Sequence, residues 1–172
     1  DGGVQLNAVR FVRNGEEKRV PMAFDTGAGK NCTGDDFVLC KYNNGIVLII
    51  SEDNDANDPD DNASGGKLSF TFEHAATIKS MTVIDIEELG GSITFFDQDG
   101  STPRDIRPLP HTGDGGSATI HLNIDGVTTM VVTCMGSCAI AEFDVTYCKP
   151  TPHPTPSPTL PPTPSPPRPP PP

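Results

Sequence analysis

The chain has 172 residues and a formal net charge of −11 at pH 7, from 23 acidic residues against 12 lysines and arginines. A surface this acidic repels nucleic acid and anionic lipid, which argues against either as a partner. The longest apolar run, at 46–50, is far shorter than the roughly 18 residues that a membrane helix needs, so no membrane insertion is expected.

Short β-strands are predicted along most of the first 149 residues, because apolar and polar residues alternate with a period of two. In chain order the predicted strands are 4–12, 19–25, 45–52, 68–73, 78–86, 92–97, 118–125, 127–134 and 139–148. Turn dipeptides separate them. Asp125-Gly126 is predicted to close a type I′ hairpin, whose central positions need positive φ. The segment 101–116, with three prolines and three glycines, is predicted to be an irregular contact loop.

These strands predict an all-β fold, an antiparallel β-sandwich or jelly roll of roughly 8–10 strands. A body of about 150 residues, 1–149, is large enough for one domain with its own core. Residues 150–172 are predicted to form a separate tail, since they hold 14 of the 19 prolines. Proline lacks the N–H that a sheet needs, so the tail is predicted to adopt polyproline II. Its residues 151–172 would then span roughly 68 Å at about 3.1 Å each.

Five cysteines lie in two clusters, without the spacing of a zinc site, and predict disulfides. Cys134 and Cys138 flank a tight turn that a local bridge could close. Cys32 would then pair with Cys40, leaving Cys148 free or bridged to another chain, although sequence does not determine connectivity. Disulfides indicate a compartment outside the cytosol.

Two sequons, at Asn31 and Asn62, lie in polar segments and predict N-glycosylation. They agree with a secreted, extracellular protein at a cell surface, wall or filament. The start at Asp1, without a methionine, fits a mature chain whose signal peptide has been removed, or a fragment.

An acidic segment at 52–61 holds six carboxylates in ten residues. Packing these charges together is costly unless water or a cation screens them, and alternating oxygen ligands suit calcium. The segment resembles the start of an EF-hand loop but lacks the glycine and the final glutamate of that motif. It therefore predicts either a structural Ca²⁺ site or a solvated acidic loop. The candidate ligands are Glu52, Asp53, Asp55, Asn57, Asp60 and Asp61.

No catalytic motif is found in the sequence. A Gly-x-Ser-x-Gly elbow and a glycine-rich phosphate loop before a helix are both absent, and the four histidines are scattered. With no tryptophan and only two tyrosines, the chain has few aromatic platforms for a sugar ring. The sequence predicts a protein that is not an enzyme.

Several segments resemble a β-sandwich domain of secreted and surface-anchored proteins from bacteria and algae. They are 46–52, 59–66, 70–72, 84–86 and 136–140, the last with Cys138 in place of a glycine. The tail resembles the hydroxyproline-rich glycoproteins of green algal walls and flagellar hairs. That second resemblance implies proline hydroxylation and O-glycans. The candidate positions are Pro152, Pro154, Pro156, Ser157, Pro158, Pro161, Pro162, Pro164, Ser165, Pro166 and Pro167.

The sequence favours a structural subunit of an extracellular glycosylated fibril or matrix. In this hypothesis the subunit forms a homopolymer, with the tail of one chain lying along the body of the next. Two alternatives stay open. One is a carbohydrate-binding or adhesion module, with glycans as partners and the tail as a Pro/Thr-rich linker. The other is a polyproline ligand for an SH3 or WW domain, centred on Arg168.

Overall fold

The structure confirms the all-β fold. It is a computed structural model that describes residues 3–27, 33–34, 37–41, 44–98 and 100–147. Within these ranges the elements are nine strands and one turn of 3₁₀ helix, and no helix there is long and apolar enough to cross a membrane. The strands are β1 (Val4–Val12), β2 (Gly15–Arg19), β3 (Pro21–Asp25), β4 (Ile46–Ile50), β5 (Gly66–Ile84), β6 (Ser92–Phe96), β7 (Pro103–Pro108), β8 (Ser117–Cys134) and β9 (Ala139–Tyr147).

Two long antiparallel strands, β5 and β8, organise the sandwich because each contributes to both of its layers. In the first layer, β1 pairs with the first half of β5 and with β2, and the second half of β8 pairs with β6, which pairs with β7. In the second layer, β9 pairs with the second half of β5, followed by β4 and β3. The described strand pairs are all antiparallel.

The long strands cross between layers at β-bulges. The register between β5 and β8 shifts three times between Thr71 and Ser80. A bulge adds an unpaired residue, bends the strand and increases its twist. The last shift also changes which residues face inward. Phe70 and Phe72 are buried before it, and Met81 and Val83 after it.

The prediction of a hairpin at Asp125-Gly126 was wrong, because the chain continues through this dipeptide as strand β8. Asn123 has φ 52° and Gly126 has φ 71°, so left-handed residues do occur here. These residues lie at the bulge in β8, where the strand bends but the chain does not reverse its direction. The flanking segments pair with β5 and not with each other. In the same way, the predicted strands 68–73 and 78–86 fall largely within the single strand β5.

Two edge strands differ from the prediction. Residues 103–108 of the predicted contact loop form strand β7, with Pro103 and Pro108 at its ends. An edge strand tolerates proline because one of its sides needs no donors. Strand β2 was not predicted because its sequence, GEEKR, shows no alternation of apolar and polar residues. Four of its five residues are exposed.

Strand β4 is buried on both faces, which explains the apolar run at 46–50. Leu48 and Ile50 face the main core between the two layers. Val47 and Ile49 belong to a second cluster on the outer side of the second layer. The 3₁₀ turn Leu39–Lys41 supplies Leu39 to that cluster, where the side chain is almost fully buried. A strand covered on both sides has no need of polar residues on either face.

Candidate assembly site

One side of the sandwich is left open where β4 and β9 diverge. Strand β9 pairs with β5 along its length, but with β4 only at Ala139 and Ile140. A register shift at this point leaves Ala141 without a partner in β5. Beyond it, the edge of β9 facing away from β5 has no strand partner among the described residues. This free edge covers 141–147.

A groove of about 240 Å³ lies where the two strands separate. Its lining is almost entirely apolar, and Glu142 is the one charged residue among the described residues that line it. Ile46, at the mouth of the groove, is 68% exposed. The lining residues are Ala23, Ile46, Val47, Leu48, Phe70, Ile140, Ala141, Glu142 and Phe143. The groove and the free edge therefore form one continuous, largely apolar surface.

A row of aromatic rings runs along the inner face of β9. Phe143 lies 5.5 Å from Phe70 and 6.1 Å from Phe72, measured between ring centroids. Tyr147 meets Phe72 edge-on at 6.3 Å. These contacts join β9 to the first half of β5 in the opposite layer, and such aromatic pairs add stability beyond the area they bury. They form an aromatic floor for the open side.

The inner face of β1 is incompletely covered. Val4 is opposite Phe72 and Leu6 is opposite Phe70 in the register of β1 and β5. Opposite residues in an antiparallel pair project on the same face, so Val4 and Leu6 face inward. They are nevertheless 39% and 40% exposed, whereas Ala8 further along the strand is buried. A second groove, of about 480 Å³, lies at this end and is lined in part by Val4 and Phe72.

Two other strand edges carry features that discourage pairing with another chain. On β2, Glu17 forms ion pairs of 2.8 Å with Arg10 and with Arg19, and charged residues of this kind discourage pairing with another chain. Hydrogen bonds from Arg10, and then from Arg19, hold the pKa of the Glu17 carboxyl below its usual range. Strand β7 is bounded by prolines. Strand β9 also carries two exposed charged residues, Glu142 and Asp144, and Asp144 Oδ1 lies 3.7 Å from Lys79 Nζ. Its free edge nevertheless borders an apolar groove, which is the arrangement expected of a surface that accepts another strand.

The structure does not bring the predicted calcium ligands together. Asp53 Oδ1 accepts the Asp55 N–H at 2.7 Å, and Asp55 Oδ1 accepts the Asn57 N–H at 2.9 Å, as in turns capped by their own side chains. The Glu52 carbonyl accepts hydrogen bonds from Arg10 and Arg19. Within the described ranges, no three His, Cys, Asp or Glu side chains are grouped to hold a metal. Calcium binding by this segment stays a prediction.

A polar junction joins three of the segments on which the first family resemblance rests. Ser137 Oγ hydrogen bonds to Asp61 and lies 2.7 Å from Asp85 Oδ2. The backbone N–H of Cys138 donates to Asp61 at 2.9 Å, and that of Gly115 donates to Asp85 at 2.7 Å. No local pattern in the sequence marks this junction as a unit. The sequence nevertheless contains a hint of it. Asp61, Asp85 and Ser137 lie in three of the segments that resemble the β-sandwich domain, 59–66, 84–86 and 136–140.

The turn that carries Ser137 is closed by a disulfide between Cys134 and Cys138, the local bridge that the sequence predicts. Cys40 is also disulfide-bonded. Its predicted partner, Cys32, lies outside the described residues, as does Cys148. The pairing of Cys32 with Cys40 therefore stays a prediction.

The structure argues against the predicted glycan at Asn62. This residue is only 6% exposed, and its Nδ2 donates a 2.6 Å hydrogen bond to the carbonyl of Gly65. The amide nitrogen that a glycan would occupy is therefore buried and engaged in the folded chain. The other sequon, at Asn31, lies outside the described residues, together with every predicted modification site in the tail.

No protein-family model and no curated protein matches this chain. Among solved structures it is similar to a mutant of the lectin binding domain of Lectinolysin complexed with Lewis b. The TM-score is 0.41 and the identity 4%, over 60% of this chain and 72% of that one. A Streptococcus pneumoniae fucose binding module, SpX-3, gives a TM-score of 0.39 at 12% identity, over 60% and 73% of the two chains.

A third similar structure is the enzymatically active domain of tailspike protein 4 from bacteriophage CBA120. Its TM-score is 0.36 at 13% identity, over 84% of this chain and 19% of that one. TM-scores below 0.5 at such identities establish neither a shared family nor a shared function.

Proposed function

We propose that this protein is a non-catalytic structural subunit of an extracellular glycosylated fibril or matrix, which assembles head to tail through its Pro-rich tail. The observation that carries the proposal is the free edge of β9, at 141–147, beside an apolar groove. A sheet edge with unpaired backbone groups is a template for an extended segment of another chain. Assembly of this kind needs a receiving surface and an extended arm, and one chain supplies both.

The cysteines support an extracellular location. Two of them form a disulfide that closes the turn 134–138, and Cys40 is disulfide-bonded as well. Disulfides persist in oxidising surroundings such as the extracellular space. O-glycans on the serines and threonines of the tail would fit the same location, and the hydroxyls there are numerous.

The tail has the dimensions that head-to-tail contact requires. In polyproline II its residues 151–172 would extend roughly 68 Å. The free edge of β9 has seven residues and is about 23 Å long at 3.3 Å each. A tail of this length can leave one body, cross to the next and still cover the whole edge.

The test is deletion of residues 151–172, with filaments counted by electron microscopy and mass measured by light scattering. We expect the full chain to form filaments and the shortened chain to remain monomeric with an unchanged β-sheet circular dichroism spectrum. A control variant carries a flexible Gly/Ser segment of equal length in place of the tail and is also expected to stay monomeric. Undiminished filaments from the deletion variant would refute the proposal.

A carbohydrate-binding module is the second candidate. The observation that favours it is Phe37, an aromatic side chain that is 82% exposed. An exposed aromatic ring gives a sugar ring an apolar face to stack on. Binding of the shortened chain to a glycan array, lost in Phe37→Ala and retained in Phe11→Ala, would support this function. Such binding without any polymerisation by the full chain would favour it over the fibril.

A further inference from the structure

We propose that residues 151–158 of a second copy of this chain, Thr-Pro-His-Pro-Thr-Pro-Ser-Pro, form the missing strand on the free edge of β9. The inference rests on the proposed function and identifies the surface of the body that receives the tail. Three features carry it: the geometry of the open side, the alternation of proline in this part of the tail, and the residues that connect the tail to β9.

Among the described residues, no strand pairs with the edge of β9 on the open side. On β9, Phe143, Val145 and Tyr147 are half-buried and pack on the main core, while Glu142 and Asp144 are exposed on the outer face. An added strand would pair with 141–147 and lie over the inner face of β1. It would cover Val4 and Leu6, whose exposure on an inward face the described strands leave unexplained. A strand that pairs with the whole of 141–147 would need about seven residues in an extended conformation.

The polyproline II conformation predicted for the tail lies in the same extended region of backbone angles as a β-strand, so 151–158 can pair with a strand wherever its N–H groups remain. The alternation of proline leaves this segment one edge for pairing. In an extended chain, the N–H and C=O groups of successive residues point to opposite edges. Because proline occupies every second position here, the remaining residues direct all their N–H groups to one edge. The other edge has no donors. Such a segment can add to β9 on one side but cannot be extended further by another strand.

The same period of two separates the apolar and polar faces of the segment. Successive side chains of a strand point to opposite faces, so the prolines share one face and Thr151, His153, Thr155 and Ser157 share the other. Docked with the prolines inward, the segment covers Val4, Leu6 and the aromatic row with apolar rings. The hydroxyls then face solvent, where O-glycans can be attached without disturbing the contact.

The connecting residues direct the tail to a second copy. The chain leaves the described part at Tyr147, at the end of β9. To return along its own β9 it would have to reverse immediately after Cys148. Lys149 and Thr151 each precede a proline, which disfavours the helical backbone region that tight turns use. A tail that continues outward meets the free edge of a neighbour, and repetition of this heterologous contact produces a filament.

The first test measures binding of the synthetic peptide Thr-Pro-His-Pro-Thr-Pro-Ser-Pro to the chain lacking 151–172. We expect saturable binding by fluorescence anisotropy, together with slower amide hydrogen exchange at 141–147. A peptide of the same composition with its four prolines in one block is the control, and it should bind at least tenfold more weakly. Equal binding of the two peptides would overturn the pairing.

The second test uses a matched pair of variants on β1. Leu6→Asp places a charge on the inward face, and Gln5→Asp places one on the exposed outer face of the same strand. We expect Leu6→Asp to weaken peptide binding at least tenfold and Gln5→Asp to leave it within twofold, with both variants folded by circular dichroism. If Leu6→Asp does not fold, protection of 141–147 by the peptide in the parent chain decides the question.

Filament formation separates this inference from the proposed function. Filaments of the full chain without protection at 141–147 would overturn the β9 site while leaving tail-mediated assembly intact. Protection of 141–147 in a full chain that stays monomeric at every concentration would show docking of its own tail and overturn the role of the second copy. Protection that rises with concentration and disappears on deletion of 151–158 is the expected result.

Discussion

Phe70 and Phe143 pack against each other across the sandwich, with ring centroids 5.5 Å apart. Phe70 belongs to the first half of β5 and Phe143 to β9, so this contact joins the two layers at the floor of the groove. The open side therefore has an aromatic base that belongs to both layers. Substitutions at this base are expected to affect both the stability of the sandwich and its capacity to accept a strand.

Replacing Phe143 by alanine removes both of its aromatic contacts, with Phe70 and with Phe72. Because Phe143 is only partly buried, we expect a loss of about 2 kcal/mol in the free energy of unfolding, below the usual cost for a fully buried phenylalanine. Glu142→Ala, on the exposed face of the same strand, is the control and should change the free energy by less than about 0.5 kcal/mol. Urea denaturation measures both, and equal stability of the two variants would contradict the contact.

Ser137→Ala removes the hydroxyl that lies between the carboxylates of Asp61 and Asp85. The hydroxyl has one proton to share between these two carboxylates, and Asp85 is 3% exposed, so the pair would lose a donor that water does not readily replace. We expect the free energy of unfolding to fall by about 2 kcal/mol. Ser117→Ala, at an exposed strand start, should have little effect. A Ser137→Ala chain as stable as its parent would show that the junction contributes nothing to the fold.

The titration of Glu17 should report its two arginine partners. Hydrogen bonds from Arg10 and Arg19 hold the pKa of Glu17 below its usual range in the folded chain. Because this pKa is lower in the folded chain than in the unfolded chain, where it is about 4.3, the ion pairs of Glu17 stabilise the fold at pH values above 4.3. Their contribution is lost as the pH falls through the pKa of the folded state. By NMR, Arg10→Gln should raise the Glu17 midpoint, whereas Lys18→Gln should move it less. An unmoved midpoint in Arg10→Gln would contradict the assigned cause.

Calcium binding by the segment 52–61 can be tested by thermal melting with excess calcium and with EGTA. Binding would require the carboxylates of Asp53 and Asp55 to turn away from the N–H groups that they now accept. If the prediction from the sequence holds, calcium raises the melting midpoint by about 3 °C for each kcal/mol of stabilisation. Asp55→Asn should reduce that increase, and Asp114→Asn should not. Identical melting midpoints in calcium and in EGTA would show that the segment 52–61 is a solvated acidic loop that does not bind calcium.

Local patterns in the sequence predicted much of the sheet. Strand β1 was predicted with the bounds that the structure shows, and β4, β6 and β9 to within two residues at each end. Alternation is informative wherever one face of a strand is buried, because side chains change face at every residue. It failed for β2 and β7, which are edge strands with little buried surface, so their sequences carry no alternation to read.

Residues typical of turns did not by themselves show where the chain reverses its direction. Asp125-Gly126 has the residues of a hairpin, yet the same positive φ at Gly126 serves a bulge inside β8. Local sequence determines which backbone angles are accessible. Whether the flanking segments pair with each other or with a third strand depends on partners far away in the chain, here β5.

By itself the sequence determined the all-β class and the separate composition of the tail, because these follow from periodicity and proline content. The spacing of Cys134 and Cys138 made a local bridge one possible pairing, and the structure shows that bridge. Only the tertiary structure decided that Asp61, Asp85 and Ser137 meet, that Asn62 is buried, and that the edge of β9 beside the apolar groove has no strand partner among the described residues. Those relationships join residues far apart along the chain. Each depends on strand order and register, which are set by the packing of the whole core and not by any local pattern.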